Sequence, residues 1–102
     1  MKWYNYIACF FAGAFGSNFW PHFINGISGR QFPTPFASPP GQGLSSPMVN
    51  VLWALMNLAI ALLLIYAGKL TISKRLALFV FLAGFALMSL MLSNAFAGIQ
   101  AQ

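Results

Sequence analysis

Two long apolar runs, residues 47–68 and 76–99, constrain the fold of this chain more than any other feature. Each is long enough to cross the roughly 30 Å hydrocarbon core of a bilayer as an α-helix, at about 1.5 Å per residue. Ser46 and Pro47 predict a helix start, because serine caps a first turn and proline fits the first helical position. Gly68 predicts the end of that helix. Of the 102 residues, 60% are hydrophobic and 5% charged, a composition far from that of soluble domains.

A third apolar run, residues 3–20, would be about 27 Å long as a helix. A cleaved signal peptide is the alternative, since Lys2 precedes a short apolar core and residues 12–14, Ala-Gly-Ala, resemble a small-residue cleavage site. We expect the run to be retained as a span, with Pro21 ending or bending its helix. The sequence therefore predicts an all-α membrane protein of one domain with three transmembrane helices.

The few charges predict how these helices are oriented. Lys2 falls on the same side of the membrane as the short connection 69–75, which contains Lys69, Lys74 and Arg75. The only charge on the other side is an arginine in the long connection between the first two runs. The positive-inside rule then places the N-terminus in the cytoplasm and the C-terminus in the periplasm, in a bacterial inner membrane.

The chain contains no Asp or Glu, and this restricts its chemistry. Proton or sodium coupling in carriers, divalent-cation binding and general acid–base catalysis mostly rely on carboxylates. One cysteine and one histidine form no metal-site spacing, so we expect no metal, no other cofactor and no enzymatic activity. The five basic residues are spread over both membrane sides without interleaved aromatics, so we expect no nucleic-acid partner.

Small and polar residues at helical spacing predict where the helices meet, because lipid provides no hydrophobic drive for their association. In the second run, Asn50, Ala54, Asn57 and Ala61 share one stripe. The corresponding faces of the first and third runs are Asn5, Cys9, Ala12 and Gly16, and Ser89, Ser93 and Ala97. We expect a compact packing of three helices in which Asn57 is hydrogen-bonded across helices, with a polar solute path as the alternative.

The connection 21–46 is rich in proline, glycine and large apolar side chains. Disordered segments are usually charged and poor in aromatics, so we expect an ordered lid over the outer helix ends. Its candidate binding residues are His22, Arg30, Phe32 and Phe36. His22 and Arg30 could hold an anionic group such as a lipid phosphate or a quinone-like carbonyl. The alternative is a histidine hydrogen-bonded to loop backbone and an arginine in water or at headgroups.

These features do not specify a biochemical activity. The leading hypothesis is a small non-catalytic subunit, surrounded by membrane lipids, that packs on a larger membrane complex or on copies of itself. The first alternative is a homo-oligomeric facilitator or pore for a neutral or anionic small solute, lined by Asn50, Asn57, Ser89 and Ser93. A membrane enzyme or quinone-site protein that uses the histidine and the arginine of the lid is the third hypothesis.

Overall fold

The structure of the chain is a computed structural model that describes residues 1–100. It consists of three helices and one short strand pair, in the order α1 (Trp3–Ile27), β1 (Phe32–Pro33), β2 (Leu44–Ser45), α2 (Pro47–Ala67) and α3 (Arg75–Gln100). The two strands pair antiparallel. Within the described residues, only α2 and α3 are both long and apolar enough to cross a membrane by composition alone.

The ends of α2 follow from local residues, as predicted. The Ser46 hydroxyl accepts a hydrogen bond of 3.1 Å from the backbone N–H of Val49, and Pro47 occupies the first turn. Gly68 caps the other end, where its N–H donates to the carbonyl of Leu64. These caps satisfy backbone groups that the helix itself leaves without partners.

Helix α1 continues past the predicted end at residue 20, so the loop before α2 covers residues 28–46 instead of 21–46. Pro21 cannot donate to the preceding turn, but the Asn25 side chain donates to the Pro21 carbonyl at 2.7 Å. Gly26 then lies so close to α2 that a Cβ there would be 2.9 Å from the carbonyl oxygen of Pro47. These tertiary and local contacts stabilise the helix after the proline.

The three helices do not form a symmetric bundle, because α1 lies between the other two. It contacts both α2 and α3, which scarcely contact each other. Gly68, the C-cap of α2, lies against Cys9 in the first half of α1, and Gly26 of α1 lies against Val51 near the start of α2, so these helices are antiparallel. Since each helix reverses direction, α1 and α3 run parallel.

Two glycines allow α1 and α3 to approach at the backbone. A Cβ on Gly13 would be 2.8 Å from the nitrogen of Phe85, and a Cβ on Gly84 would be 2.8 Å from the carbonyl carbon of Phe10. Beyond this crossing a groove of about 450 Å³ opens between the helices. Residues 93 and 97 were predicted to lie on the interface of α3. They are exposed, in the C-terminal part of that helix.

The outer surfaces of α2 and α3 are apolar and uncovered. In their most apolar stretches only 22% and 11% of the residues, respectively, are buried. The core helix of a soluble domain would instead bury most of such a stretch. Five polar residues of α1 and α2 are buried instead: Asn5, Ser17, His22, Asn50 and Asn57.

Candidate functional site

Four hydrogen bonds join α1 to α2 and its C-cap, and we call this row the polar seam. The Asn5 amide donates to the carbonyl of Ala67 at 2.9 Å, and the Cys9 thiol lies 3.5 Å from the carbonyl oxygen of Gly68. At the other end of α1, two side-chain pairs complete the row: Asn18 with Asn57, and His22 with Asn50. The seam therefore gives the polar groups of α1 partners along most of its length.

Asn50 connects the seam to the loop. It is fully buried, and its Nδ2 donates to the carbonyls of Phe32, Ser45 and Ser46 at 3.0, 3.3 and 3.1 Å. With the amide nitrogen held by three acceptors, Oδ1 must be the atom that faces His22 Nδ1 at 2.9 Å. The geometry thus makes Nδ1 a protonated nitrogen. The ring is buried and the chain has no Asp or Glu to pair with an imidazolium, which favours the neutral form, and in that form Nε2 is a hydrogen-bond acceptor.

Asn57 repeats this arrangement about two helical turns further along α2. Its Nδ2 donates to the Trp53 carbonyl at 2.8 Å, which orients Oδ1 toward α1. Asn18 donates to that Oδ1 through its own Nδ2 at 3.0 Å. The carbonyl oxygen of the Asn18 amide is left free of hydrogen bonds within residues 1–100. Each of these two asparagines of α2 therefore accepts a hydrogen bond from a side chain of α1. The α1 side chain that donates it keeps one acceptor atom without a partner among the described residues.

Thr34 organises the loop that covers this end of the helices. Its carbonyl accepts from the N–H groups of Ala37 and Gly41 at 3.1 and 2.8 Å, and its hydroxyl bonds to that of Ser45. Gly41 has φ +73°, a left-handed conformation that glycine adopts without strain. The loop is thus closed on itself by its own polar groups, and Asn50 ties it to the helices.

A cavity of about 220 Å³ lies where this loop crosses the gap between α2 and α3. Its floor includes Asn18 and His22 of α1, and Trp53 and Phe96 form part of its walls on α2 and α3. Prolines 33 and 35 cover it from the loop. The cavity exists because α2 and α3 diverge on either side of α1, so the loop bridges them instead of a helix–helix contact.

Aromatic rings surround the histidine at this cavity. The ring centroids of Phe32, Phe96 and Trp53 lie 5.4, 6.2 and 6.3 Å from that of His22, all with edge-to-face geometry. The Trp53 Nε1–H is sealed from solvent and has no acceptor within residues 1–100. An unpaired buried donor of this kind costs about 1–3 kcal/mol in lost hydration, so the indole N–H destabilises the cluster by about that amount.

The candidate lid residues occupy three separate places. His22 is buried in the cavity floor, whereas Arg30 is exposed and donates through Nε to Asn25 Oδ1 at 2.9 Å. The two line different cavities, so the structure does not bring them together around one anion. Phe32 packs on His22, and Phe36 packs edge-to-face on Trp53 at 5.2 Å while remaining 68% exposed.

The predicted helix faces are used mainly inside the chain. Ala12, Ala54 and Ala61 are buried, and Gly16 is half-buried. Ser89 pairs with Ser17 of α1 at 2.6 Å, and Ser93 is exposed. Asn50 and Asn57 instead lie on the α2 side of α1. Within one chain, the four residues proposed to line a solute path therefore lie on two different sides of α1.

Three cavity residues, Asn18, Trp53 and Thr34, were missed as site residues in the sequence. Asn18 lies four positions before His22, so both fall on one helical face, and this spacing was a usable signal. Trp53 precedes Asn57 by the same interval. Thr34 carried no local signal, because its role depends on the closed shape of the loop. Comparisons of the chain with models of protein families, with curated proteins and with solved structures give no significant match.

Proposed function

We propose that this chain is a small, non-catalytic integral membrane protein that crosses the bilayer three times and packs against other membrane subunits or copies of itself. One observation supports it most: buried polar groups lie around α1, while the outer faces of α2 and α3 are apolar and uncovered. This distribution is expected of a protein surrounded by lipid, because apolar outer faces are favourable there and polar groups must be paired inside the protein.

Helix α1 is the third span in this proposal, although it is less apolar than the other two. Its polar side chains have partners in the seam, and its central position between α2 and α3 shields them from lipid. A polar group costs little in a membrane when it is hydrogen-bonded and covered by protein. Loss of α1 by cleavage would remove nearly all of the contacts that hold α2 and α3 together.

The orientation rests on the positions of the basic residues in the fold. Asn5, close to Lys2, bonds to Ala67, so Lys2 lies at the same end as the turn that carries Lys69 and Lys74. The positive-inside rule then supports a cytoplasmic N-terminus and a periplasmic C-terminus in a bacterial inner membrane. A reporter enzyme that is active only in the periplasm should therefore be active when it is fused after residue 100. A reporter that is active only in the cytoplasm should be inactive at the same position.

Assembly must use surfaces other than the seam, because the small-residue faces are largely occupied within the chain. The loop offers such a surface in Phe36 and Leu44, which are 68% and 58% exposed. Both lie on the loop beyond the helix ends, where lipid chains alone would not cover them. A neighbouring protein surface of similar apolar character is the partner that these side chains fit.

Cysteine cross-linking in native membranes tests the assembly. The native thiol is buried and is removed as Cys9→Ala, after which Phe36→Cys or Leu44→Cys supplies a single reactive site. Gln42→Cys is the matched control, since it is exposed on the same loop but polar. We expect cross-linked species with Phe36→Cys and Leu44→Cys and much less with Gln42→Cys. The assembly would be refuted if all three variants gave only monomers after cross-linking and if mild extraction of the natural chain also gave only a monomer.

A further inference from the structure

We infer that the cavity beneath the loop is a binding site for a small, neutral, mostly apolar molecule that carries a hydroxyl group. The site is the 220 Å³ cavity floored by Asn18 and His22. An engineered apolar cavity of about 150 Å³ binds benzene, so a cavity of about 220 Å³ has room for a molecule of the size of a substituted ring. The site is independent of whether the protein assembles with partners.

The hydrogen-bonding character of the floor selects the ligand. Asn50 holds His22 in the tautomer that leaves Nε2 as an acceptor, and Asn57 holds Asn18 in the orientation that leaves Oδ1 as an acceptor. His22 and Asn18 are four residues apart on one helix, so the two acceptors lie on one face. A molecule in this cavity must therefore donate a hydrogen bond.

The walls determine the rest of the ligand. Trp53 and Phe96 provide aromatic surfaces, and the indole N–H of Trp53 is a buried donor without an acceptor in the described part of the chain. A hydroxyl is the smallest neutral group that can donate a hydrogen bond to His22 Nε2 while its carbon skeleton packs on these rings. The ring centroids of His22 and Trp53 are 6.3 Å apart, which one ring-sized molecule can bridge.

Charged ligands fit the same cavity poorly. The chain has no Asp or Glu side chain to balance a cation, and the one arginine of the loop, Arg30, lines a different cavity and bonds to Asn25. Burying either sign of charge here would leave it unpaired, which is much more costly than burying a hydroxyl that finds partners. Neutral hydroxyl compounds are therefore the ligand class that the chemistry of the cavity recognises.

Phenol is a suitable probe, and anisole is its matched control because it keeps the ring and the oxygen but cannot donate. His22 is the only histidine, so labelling histidine with ¹⁵N gives one pair of imidazole signals. The protein is placed in lipid nanodiscs, and each probe is titrated at a measured free aqueous concentration. The ¹⁵N shifts first report the tautomer, and the change at Nε2 then reports a hydrogen bond from the probe.

The expected result is Nδ1 protonated in the absence of probe, and a saturable shift of Nε2 with phenol at concentrations about tenfold lower than with anisole. Ala95→Phe fills the cavity from α3 without touching the hydrogen-bonded pairs and should abolish the phenol shift. Ala97→Phe is the matched control, because it adds the same ring to α3 at an exposed position that does not line the cavity. It should leave the phenol shift unchanged. Protonation at Nε2, equal binding of the two probes, or an unaltered shift in Ala95→Phe would each overturn the inference.

Discussion

A methyl group added at Gly13 tests most directly how α1 and α3 pack. In the variant Gly13→Ala, the Cβ would lie 2.8 Å from the backbone nitrogen of Phe85, and nearer still to the carbonyl oxygen of Phe81. Both are backbone atoms, so no change of rotamer relieves the contact. Because ordinary Cβ contacts begin at 3.4 Å, relieving the Phe85 contact alone requires a separation of about 0.6 Å, and relieving the closer Phe81 contact requires more.

The free energy of this separation has two parts. Forcing an extra methyl group into a well-packed interface typically costs about 1–3 kcal/mol. The separation also lengthens the Ser17–Ser89 hydrogen bond, now 2.6 Å, and such interhelical bonds contribute about 0.6 kcal/mol in membrane proteins. Alanine favours a helix over glycine by about 1 kcal/mol, which offsets part of this cost. We therefore expect Gly13→Ala to lower the free energy of unfolding by about 1–3 kcal/mol.

Gly16→Ala is the matched control on the same helix. Its Cβ would meet nothing closer than a side-chain carbon of Phe85 at 4.0 Å, an ordinary contact. Alanine also favours a helix over glycine by about 1 kcal/mol, so this variant should be neutral or slightly more stable. Reversible unfolding in mixed micelles with rising SDS fraction measures both variants. If Gly13→Ala unfolds at the same SDS fraction as Gly16→Ala, the close crossing of α1 and α3 is refuted.

Three further predictions concern other parts of the fold. Asn50→Leu should increase deuterium uptake of the loop, residues 32–45, severalfold without changing the centre of α3, because its three carbonyl partners lose their donor; unchanged uptake of the loop would contradict this role. Cys9 is fully buried, so N-ethylmaleimide should label it only in the unfolded protein, and mass spectrometry showing rapid labelling of the folded protein would exclude the seam geometry. Lys69 has φ 54°, so Lys69→Gly should raise the SDS midpoint by removing about 1 kcal/mol of backbone strain, whereas a lower midpoint would count against that conformation.

Helix α2 was predictable because its determinants are local. Ser46, Pro47 and Gly68 act on the backbone within one turn of their own positions, so their roles can be read without knowing the fold. The length and apolar character of α2 and α3 are likewise properties of the sequence. A helix defined by its own caps and its own composition needs no tertiary information.

The end of α1 was not predictable in the same way. Pro21 is a local signal for a helix end, and the prediction followed it. The helix continues because Gly26 packs against the backbone of Pro47 and because His22 bonds to Asn50. Both partners lie on α2, so their effect appears only after the two helices are placed together. Tertiary contacts here override a local preference.

The candidate site shows the same limit. The asparagine spacing on α2 indicated a buried stripe, but it could not show that Asn50 also binds the carbonyls of Phe32 and Ser45. Those bonds depend on the antiparallel pairing of two very short strands, which leave almost no periodic pattern in the sequence. The cavity depends in turn on α2 and α3 lying on different sides of α1, which is a property of packing.

The placement of the least apolar helix at the centre links the stability of the fold to its candidate site. Each amide of α2 is held by backbone carbonyls and must present its oxygen to α1, so α1 must donate. The side chains that donate, His22 and Asn18, then keep acceptors on their remaining atoms. Because the bonds that join α1 to α2 also set the polarity of the cavity floor, a variant that weakens the seam at Asn50 or Asn57 should alter ligand preference as well as stability.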